Sequence, residues 1–230
     1  MTEHTVKAFG EELDALSALL SRMGGFSESM VADAVASVAR RDTSLAQGVI
    51  GRDGRIDEME RDVEKQIVRL LALRQPMARD LREVLAAYRL SLEIERIGDL
   101  AKNIAKRALI LNQADPVSLT RSVERMGKIV SSRLKDVLDA YGTRDMKGAL
   151  TVWGGDEDVD EHYNSLFREL LTYMMADPRM ITSCAHLLFV AKNMERIGDH
   201  CTNMAEIVHF LVTGEDMPND RPKIDSLSQG

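Results

Sequence analysis

Aromatic side chains make up only 4% of this 230-residue chain, cysteine occurs twice and proline five times. Each scarcity excludes something. Cys184 and Cys201, both on apolar helical positions, are too few for a disulfide framework and unsuited to a thiolate metal site, which fits a reducing compartment. No apolar run approaches the roughly 18–20 residues that a membrane span needs. The start, Met1-Thr2-Glu3-His4, lacks the basic stretch and apolar core of a secretory leader. A cytoplasmic protein, at most peripheral to a membrane, is expected. Positive charge is in deficit, with 30 Lys and Arg against 37 Asp and Glu for a net charge of −7, which argues against a nucleic-acid surface. Period-two alternation is almost absent, so strands have little support.

What is present points to helices. At 44% apolar and 29% charged the composition is that of a globular protein able to bury one sizeable core or two small ones. Thirteen methionines and few aromatics favour cores of Leu, Ile, Val, Met and Ala between helices. Pro76, Pro116 and Pro178 punctuate the body, and Pro218 and Pro222 lie near the end. In Asp115-Pro116 and Asp177-Pro178 a capping Asp precedes a proline suited to a first helical turn. The periodicity predicts six helices, about 4–40 (bent near Gly24-Gly25), 42–74, 77–112, 116–142, 144–176 and 178–212. A helix of ~33 residues is about 50 Å long, so the expected shape is an elongated antiparallel bundle. The glycines at 48, 51 and 54, and at 154 and 155, weaken the second and fifth helices. Residues 214–230 read as a mobile tail.

The chain also repeats itself. Glu95-Arg96-Ile97-Gly98-Asp99 recurs 100 positions later as Glu195-Arg196-Ile197-Gly198-Asp199, with Asn103 and Ala105 matching Asn203 and Ala205. An earlier block, Asp42, Val49, Asp53 and Asp57, recurs 103 positions later as Asp145, Val152, Asp156 and Asp160. The slip of three falls near the Gln75-Pro76 and Asp177-Pro178 turns, where length changes cost little. A duplicated helical unit follows, residues 1–113 and 114–213, giving an all-α fold of two tandem three-helix bundles.

In the third and sixth helices, Ile94, Ile97, Ala101, Ile104, Ala108 and Leu111, and likewise Met194, Ile197, Cys201, Met204, Val208 and Leu211, recur at spacings of three and four and form a buried seam. Glu95 with Asp99, and Glu195 with Asp199, fall on the opposite, exposed side, one turn apart. Asp53 with Asp57 and Asp156 with Asp160 supply matching pairs from the preceding helix of each unit. Four carboxylates on one surface repel unless a cation neutralises them, and hard cations favour clustered oxygens, so a metal site per unit is expected. On the same reasoning, changing Asp99 and Asp199 to Asn should relieve repulsion. Arg96, Lys102 and Lys106 could instead balance the charge locally, leaving a solvated surface.

The doubled Glu-Arg-Ile-Gly-Asp with Asn203, Leu73-Arg74-Gln75-Pro76 followed by Asp80-Leu81-Arg82, and the run from Leu187 to Asn193 resemble the PhoU family of bacterial phosphate-uptake regulators over residues 1–214. The resemblance implies two similar three-helix bundles, with acidic motifs binding multinuclear iron or zinc clusters. The positions that match those motifs are Asp53, Asp57, Glu95, Asp99, Asp156, Asp160, Glu195 and Asp199. It also implies a non-enzymatic adaptor at the cytoplasmic face of the membrane, often a homodimer, between the ATPase subunit of the phosphate ABC transporter and the phosphate-sensing histidine kinase. The glycine-rich approach to the Asp pairs, Gly48 to Gly54 and Gly154-Gly155, departs from the family pattern.

Two rival readings stand beside this one. A carboxylate-bridged di-iron oxidase would use inward Glu residues and two Glu-x-x-His pairs. The chain offers one, Glu206 with His209, whose counterparts are Lys106 and Leu109. His200, beside Asp199, could add a nitrogen ligand, while His4, His162 and His186 show no partner. A structural bundle without a ligand is the other reading.

Overall fold

The computed structural model describes residues 2–116 and 120–217, apart from the side chains of residues 2–8, Thr120 and Asp156. Seven helices account for most of it: α1 Thr2–Ala39, α2 Thr43–Arg74, α3 Arg79–Leu111, α4 Thr120–Thr143, α5 Met146–Gly154, α6 Asp156–Ala176 and α7 Ile181–Thr213. No strand occurs among the described residues. Residues 218–230, most of the expected tail, lie outside the described part.

The duplication is written into the turns. Arg41 (φ 54°) and Arg144 (φ 55°) adopt the same left-handed conformation. Each is followed by an Asp whose carboxylate accepts a backbone N–H, Asp42 from Leu45 and Asp145 from Lys147. The recurring Asp42 and Asp145 are therefore helix caps. The left-handed Gln75 ends α2, and Asp177 caps a short 3₁₀ turn, Pro178–Met180, that leads into α7.

Helix continuity follows the glycines at one place and not at another. Helix α1 runs unbroken through Gly24-Gly25, and α2 through Gly48, Gly51 and Gly54. Those three glycines face solvent with nothing within 4 Å, while Ala46, Val49, Ile56, Met59, Val63, Ile67 and Leu70 bury the opposite face. Packing of that face outweighs the roughly 1 kcal/mol cost of each helical glycine. The expected fifth helix, 144–176, is split at Gly155 into α5 and α6, at the glycine pair expected to weaken it. Buried Arg133 stabilises the break by donating to the Val152 carbonyl near the end of α5 (2.7 Å) and to Thr202 Oγ1 (3.2 Å). Pro116 is not helical, and the link from it to α4 falls on residues 117–119, outside the described ones.

Within each repeat three helical segments pack together, α1 with α2 and α3, then α4 with α5–α6 and α7. Helices α1, α3, α7 and α4 also contact one another in a closed ring, with α2 flanking one side and α5–α6 the other. The two repeats accordingly share one continuous apolar core. Glycine makes the α1–α4 contact possible: a Cβ on Gly24 would collide with Leu138, and one on Gly127 with Val35. These are two copies of a single contact, since both Gly24 to Gly127 and Val35 to Leu138 are steps of 103 positions. Helices α3 and α7 run antiparallel, so Arg107 meets His186 (3.3 Å) and stacks on Phe189 while Arg89 lies over Phe210. Cys184 and Cys201 are buried in the core and are not joined in a disulfide.

Candidate metal centres on paired carboxylate helices

The glycine inside the doubled pentapeptide sets the geometry of each site. A Cβ on Gly98 would stand 2.8 Å from Ile56 Cδ1, and one on Gly198 would stand 3.2 Å from Val159 Cγ1. Helices α2 and α3, and α6 and α7, therefore make close contact at the point where both carry acids. Ile56 lies between Asp53 and Asp57, and Gly98 between Glu95 and Asp99. In the second repeat Val159 lies between Asp156 and Asp160, and Gly198 between Glu195 and Asp199.

In the first repeat the four acids come together, and all four are half-buried rather than on a fully exposed face. Burial raises the Glu95 carboxyl above its ordinary value, and the negative charges of Asp99, Asp57 and Glu60 raise it further. Glu60 also belongs to this cluster: burial raises it first, and the charges of Glu64 and Asp57 add to the effect. Only its place one turn after Asp57 could have signalled this.

Lys102 crosses the groove between the two helices, donating to Asp53 Oδ2 and Asp99 Oδ1, both at 2.7 Å. Its ammonium loses hydration on burial, yet the two carboxylates more than compensate and raise its pKa well above the ordinary lysine value. Asp99 is thus a partner of Lys102, so its replacement by Asn would remove an ion pair; relief of crowding is expected at Glu95 instead. Asp53 Oδ1 remains buried with no hydrogen-bond partner.

The second repeat carries its cations differently. Lys192 donates to Glu195 Oε1 at 2.6 Å within one turn of α7 and lies over the Tyr163 ring. Glu195 Oε2 is buried without a hydrogen-bond partner, while Asp160 and Asp199 are exposed. Asp156 opens α6, its side chain being outside the described ones. The counterpart of Lys102 is Thr202, which has no charge and accepts from Arg133.

His200 turns away from the acids. Its Nδ1 donates to Glu93 Oε2 across the α3–α7 interface at 2.6 Å, and Asn203 donates to the same oxygen at 3.2 Å. Arg96 holds the other oxygen at 3.1 Å. Burial alone would raise the Glu93 carboxyl, but the hydrogen bonds from His200 and Asn203 and the charges of His200 and Arg96 outweigh it and lower the pKa. This clamp between repeats has no counterpart in the duplicated pattern, because Asn193 and Leu100 stand at the equivalent positions. The Glu-x-x-His pair of the oxidase reading also separates: Glu206 accepts from the Trp153 indole, and His209 bonds the Glu215 carbonyl. His186 gains Arg107 as a neighbour, and the His162 ring bonds the Asp158 carbonyl.

Among the described residues no three His, Cys, Asp or Glu side chains stand close enough to hold an ion without rearrangement. The donor set nonetheless suits a hard or borderline cation. It is made of carboxylate oxygens, two of which, Asp53 Oδ1 and Glu195 Oε2, are buried and unsatisfied.

A duplicated protein, helical and without strands over its described residues, with acids carried on two packed helices of each repeat is the class that fold and site define. The PhoU domain family matches residues 20–108 and 123–208, one domain per repeat. The chain belongs to the PhoU family. It is 63% identical, over the full length of both chains, to the "phosphate-specific transport system accessory protein PhoU homolog" of Caulobacter vibrioides. The crystal structure of PhoU from Pseudomonas aeruginosa superimposes with a TM-score of 0.87 at 39% identity, covering 90% of this chain and all of that one. The phosphate transport system regulatory protein PhoU from Streptococcus pneumoniae gives 0.85 at 28% identity, covering 91% and 99%.

Proposed function

We propose that this protein is an accessory regulator of phosphate transport that works by docking rather than by catalysis. Full-length similarity to a relative named as an accessory protein of the phosphate-specific transport system carries the reading. On this reading the protein resides in the cytoplasm, at the inner face of the membrane, with contacts supplied by its partners. It links the ATPase subunit of the phosphate ABC transporter to the phosphate-sensing histidine kinase. When phosphate is plentiful it holds the kinase in the state that keeps the starvation regulon off, and it restrains uptake. Among the described residues no helix is long and apolar enough to cross a membrane, which suits a peripheral role.

The same reading assigns the acids a structural metal role. Asp53, Asp57, Glu95 and Asp99 on one side, and Asp156, Asp160, Glu195 and Asp199 on the other, would hold iron or zinc. The ion would supply positive charge that ties two helices of a repeat together. Support comes from the unsatisfied Asp53 Oδ1 and Glu195 Oε2 and from the crowding that raises Glu95. A homodimer is the proposed assembly.

Deletion of the protein in its native cell tests the regulatory role. Regulon genes should stay expressed, and uptake unrestrained, in phosphate-rich medium. Normal repression in the deletion strain, or purified protein with no affinity for either the ATPase subunit or the kinase, would overturn the proposal.

A further inference from the structure

Arginines line the outer side of the α3–α7 interface. Arg82, Arg89 and Arg96 follow one another at steps of seven along α3, and Arg107 comes eleven residues later. Steps of seven and eleven return to within about 20° of the same direction on a helix, so these side chains leave α3 along one line, about 38 Å from first to last. Contacts place that line beside α7: Arg89 lies over Phe210, Arg96 pairs with Glu93 next to His200 and Asn203, and Arg107 stacks on Phe189. Arg196, one turn before His200, joins the row from α7. Among the described residues Arg82, Arg89, Arg107 and Arg196 form no ion pair, and Glu93, the carboxylate in their midst, is already held by three donors. Arg82 Nε is buried without a hydrogen-bond partner. Apolar side chains accompany the row. Phe189 is 53% exposed, and Leu85 and Ile110, three residues after Arg82 and Arg107, are exposed as well. Unpaired arginines stacked on aromatic rings beside exposed apolar side chains have the composition of an interface centre rather than of a solvated face.

We propose that the outer face of the α3–α7 interface docks an acidic amphipathic helix of a protein partner, its carboxylates on the arginine row and its apolar side chains on Phe189, Leu85 and Ile110. The inference rests on the reading of the protein as a docking adaptor and gives that reading a surface; it makes no use of the metal centres. Charge complementarity selects the occupant. On a chain of net charge −7, cations left without partners are concentrated in one row, and acids at every seventh position of a partner helix would meet them at the same rise of two turns. A helix laid along two packed helices engages such a row through one of its faces. A membrane or another extended anionic surface would also meet the acids on the flanks of α3 and α7, including exposed Asp199, and be repelled by them, whereas a single helix meets the row alone.

The test measures binding of the full-length protein to the ATPase subunit of the phosphate transporter and to the cytoplasmic part of the sensing kinase. Arg89→Glu combined with Arg196→Glu should weaken binding to at least one of them by about a hundredfold, roughly tenfold per arginine. Arg22→Glu combined with Arg125→Glu, the same charge change at exposed positions of α1 and α4, should alter it by about threefold or less. In the parent complex Arg89, Arg107 and Arg196 should be shielded from phenylglyoxal while Arg22 and Arg125 stay reactive, a reading that stands should the Arg89 and Arg196 variant fail to fold. Undiminished binding by that variant, equal loss in both variants, or the row still reactive in the complex would overturn the proposal and leave the docking reading intact. No binding of the parent chain to either protein would overturn both. Light scattering and flotation with phosphatidylserine vesicles check the other occupants: self-association or vesicle binding that Arg89→Glu with Arg196→Glu abolishes would give the face to a second copy or to a membrane, and would overturn the proposal too.

Discussion

Replacing Gly98 by alanine probes the contact on which the first acid cluster depends. The new methyl would stand 2.8 Å from Ile56 Cδ1 and 3.1 Å from its Cγ2. Ile56 is fully buried, and its β-branched side chain has little rotamer freedom in a helix. Overpacking of this kind costs about 1–3 kcal/mol, whereas exchanging a helical glycine for alanine stabilises by about 1 kcal/mol. The net loss is about 1 kcal/mol. Gly51→Ala on α2, where nothing lies within 4 Å, keeps only the favourable part, a gain of about 1 kcal/mol. The same chemical change should therefore differ by about 2 kcal/mol between the sites, and each kcal/mol is worth roughly 2–4 °C in Tm for a chain of this size. Urea denaturation followed by circular dichroism, with chelator present, measures it. The second repeat supplies the rescue, because Val159 faces Gly198 with more room. Combining Gly98→Ala with Ile56→Val, which removes the nearest atom, should give a favourable coupling of about 1 kcal/mol. Equal stabilisation by Gly98→Ala and Gly51→Ala, or no coupling with Ile56→Val, would refute a close contact at this glycine.

Glu93 has a folded-state pKa below its ordinary value of 4.5, so the stability it contributes is present above that value and is lost as pH falls through the folded pKa. Glu93→Gln should flatten the acid limb of stability against pH, and an unchanged limb would show that the clamp with His200, Asn203 and Arg96 contributes nothing. Glu95→Gln in chelator should raise thermal stability, because it removes the charge that Asp99, Asp57 and Glu60 oppose. A lower melting point would contradict the crowding. Arg133→Met should cost about 1–3 kcal/mol by removing the guanidinium from the Val152 carbonyl, which keeps only its longer bond from the Gly155 N–H, and from Thr202 Oγ1. Hydrogen exchange should then rise across residues 152–156, and unchanged protection there would refute the capping role.

The all-helical class and the duplication were legible in the sequence because each rests on local periodicity or on repetition. Seams at spacings of three and four identify buried faces wherever a helix packs, and the doubled Glu-Arg-Ile-Gly-Asp marks equivalent places without any knowledge of their neighbours. Which partner each side chain meets was settled only by the tertiary arrangement. Lys102 could be read as balancing charge, but its bridge to Asp53, 49 positions away, depends on how α2 and α3 align across Gly98. The break at Gly155 was signalled by the glycine pair, but its stabilisation by Arg133 on another helix was not, and the unbroken α2 follows from the apolar face beneath its exposed glycines. His200 read as a possible nitrogen ligand beside Asp199, and the antiparallel crossing of α3 and α7 made it the partner of Glu93, 107 residues distant. Periodicity is a property of one segment, whereas the neutralisation of a charge depends on which segments pack together.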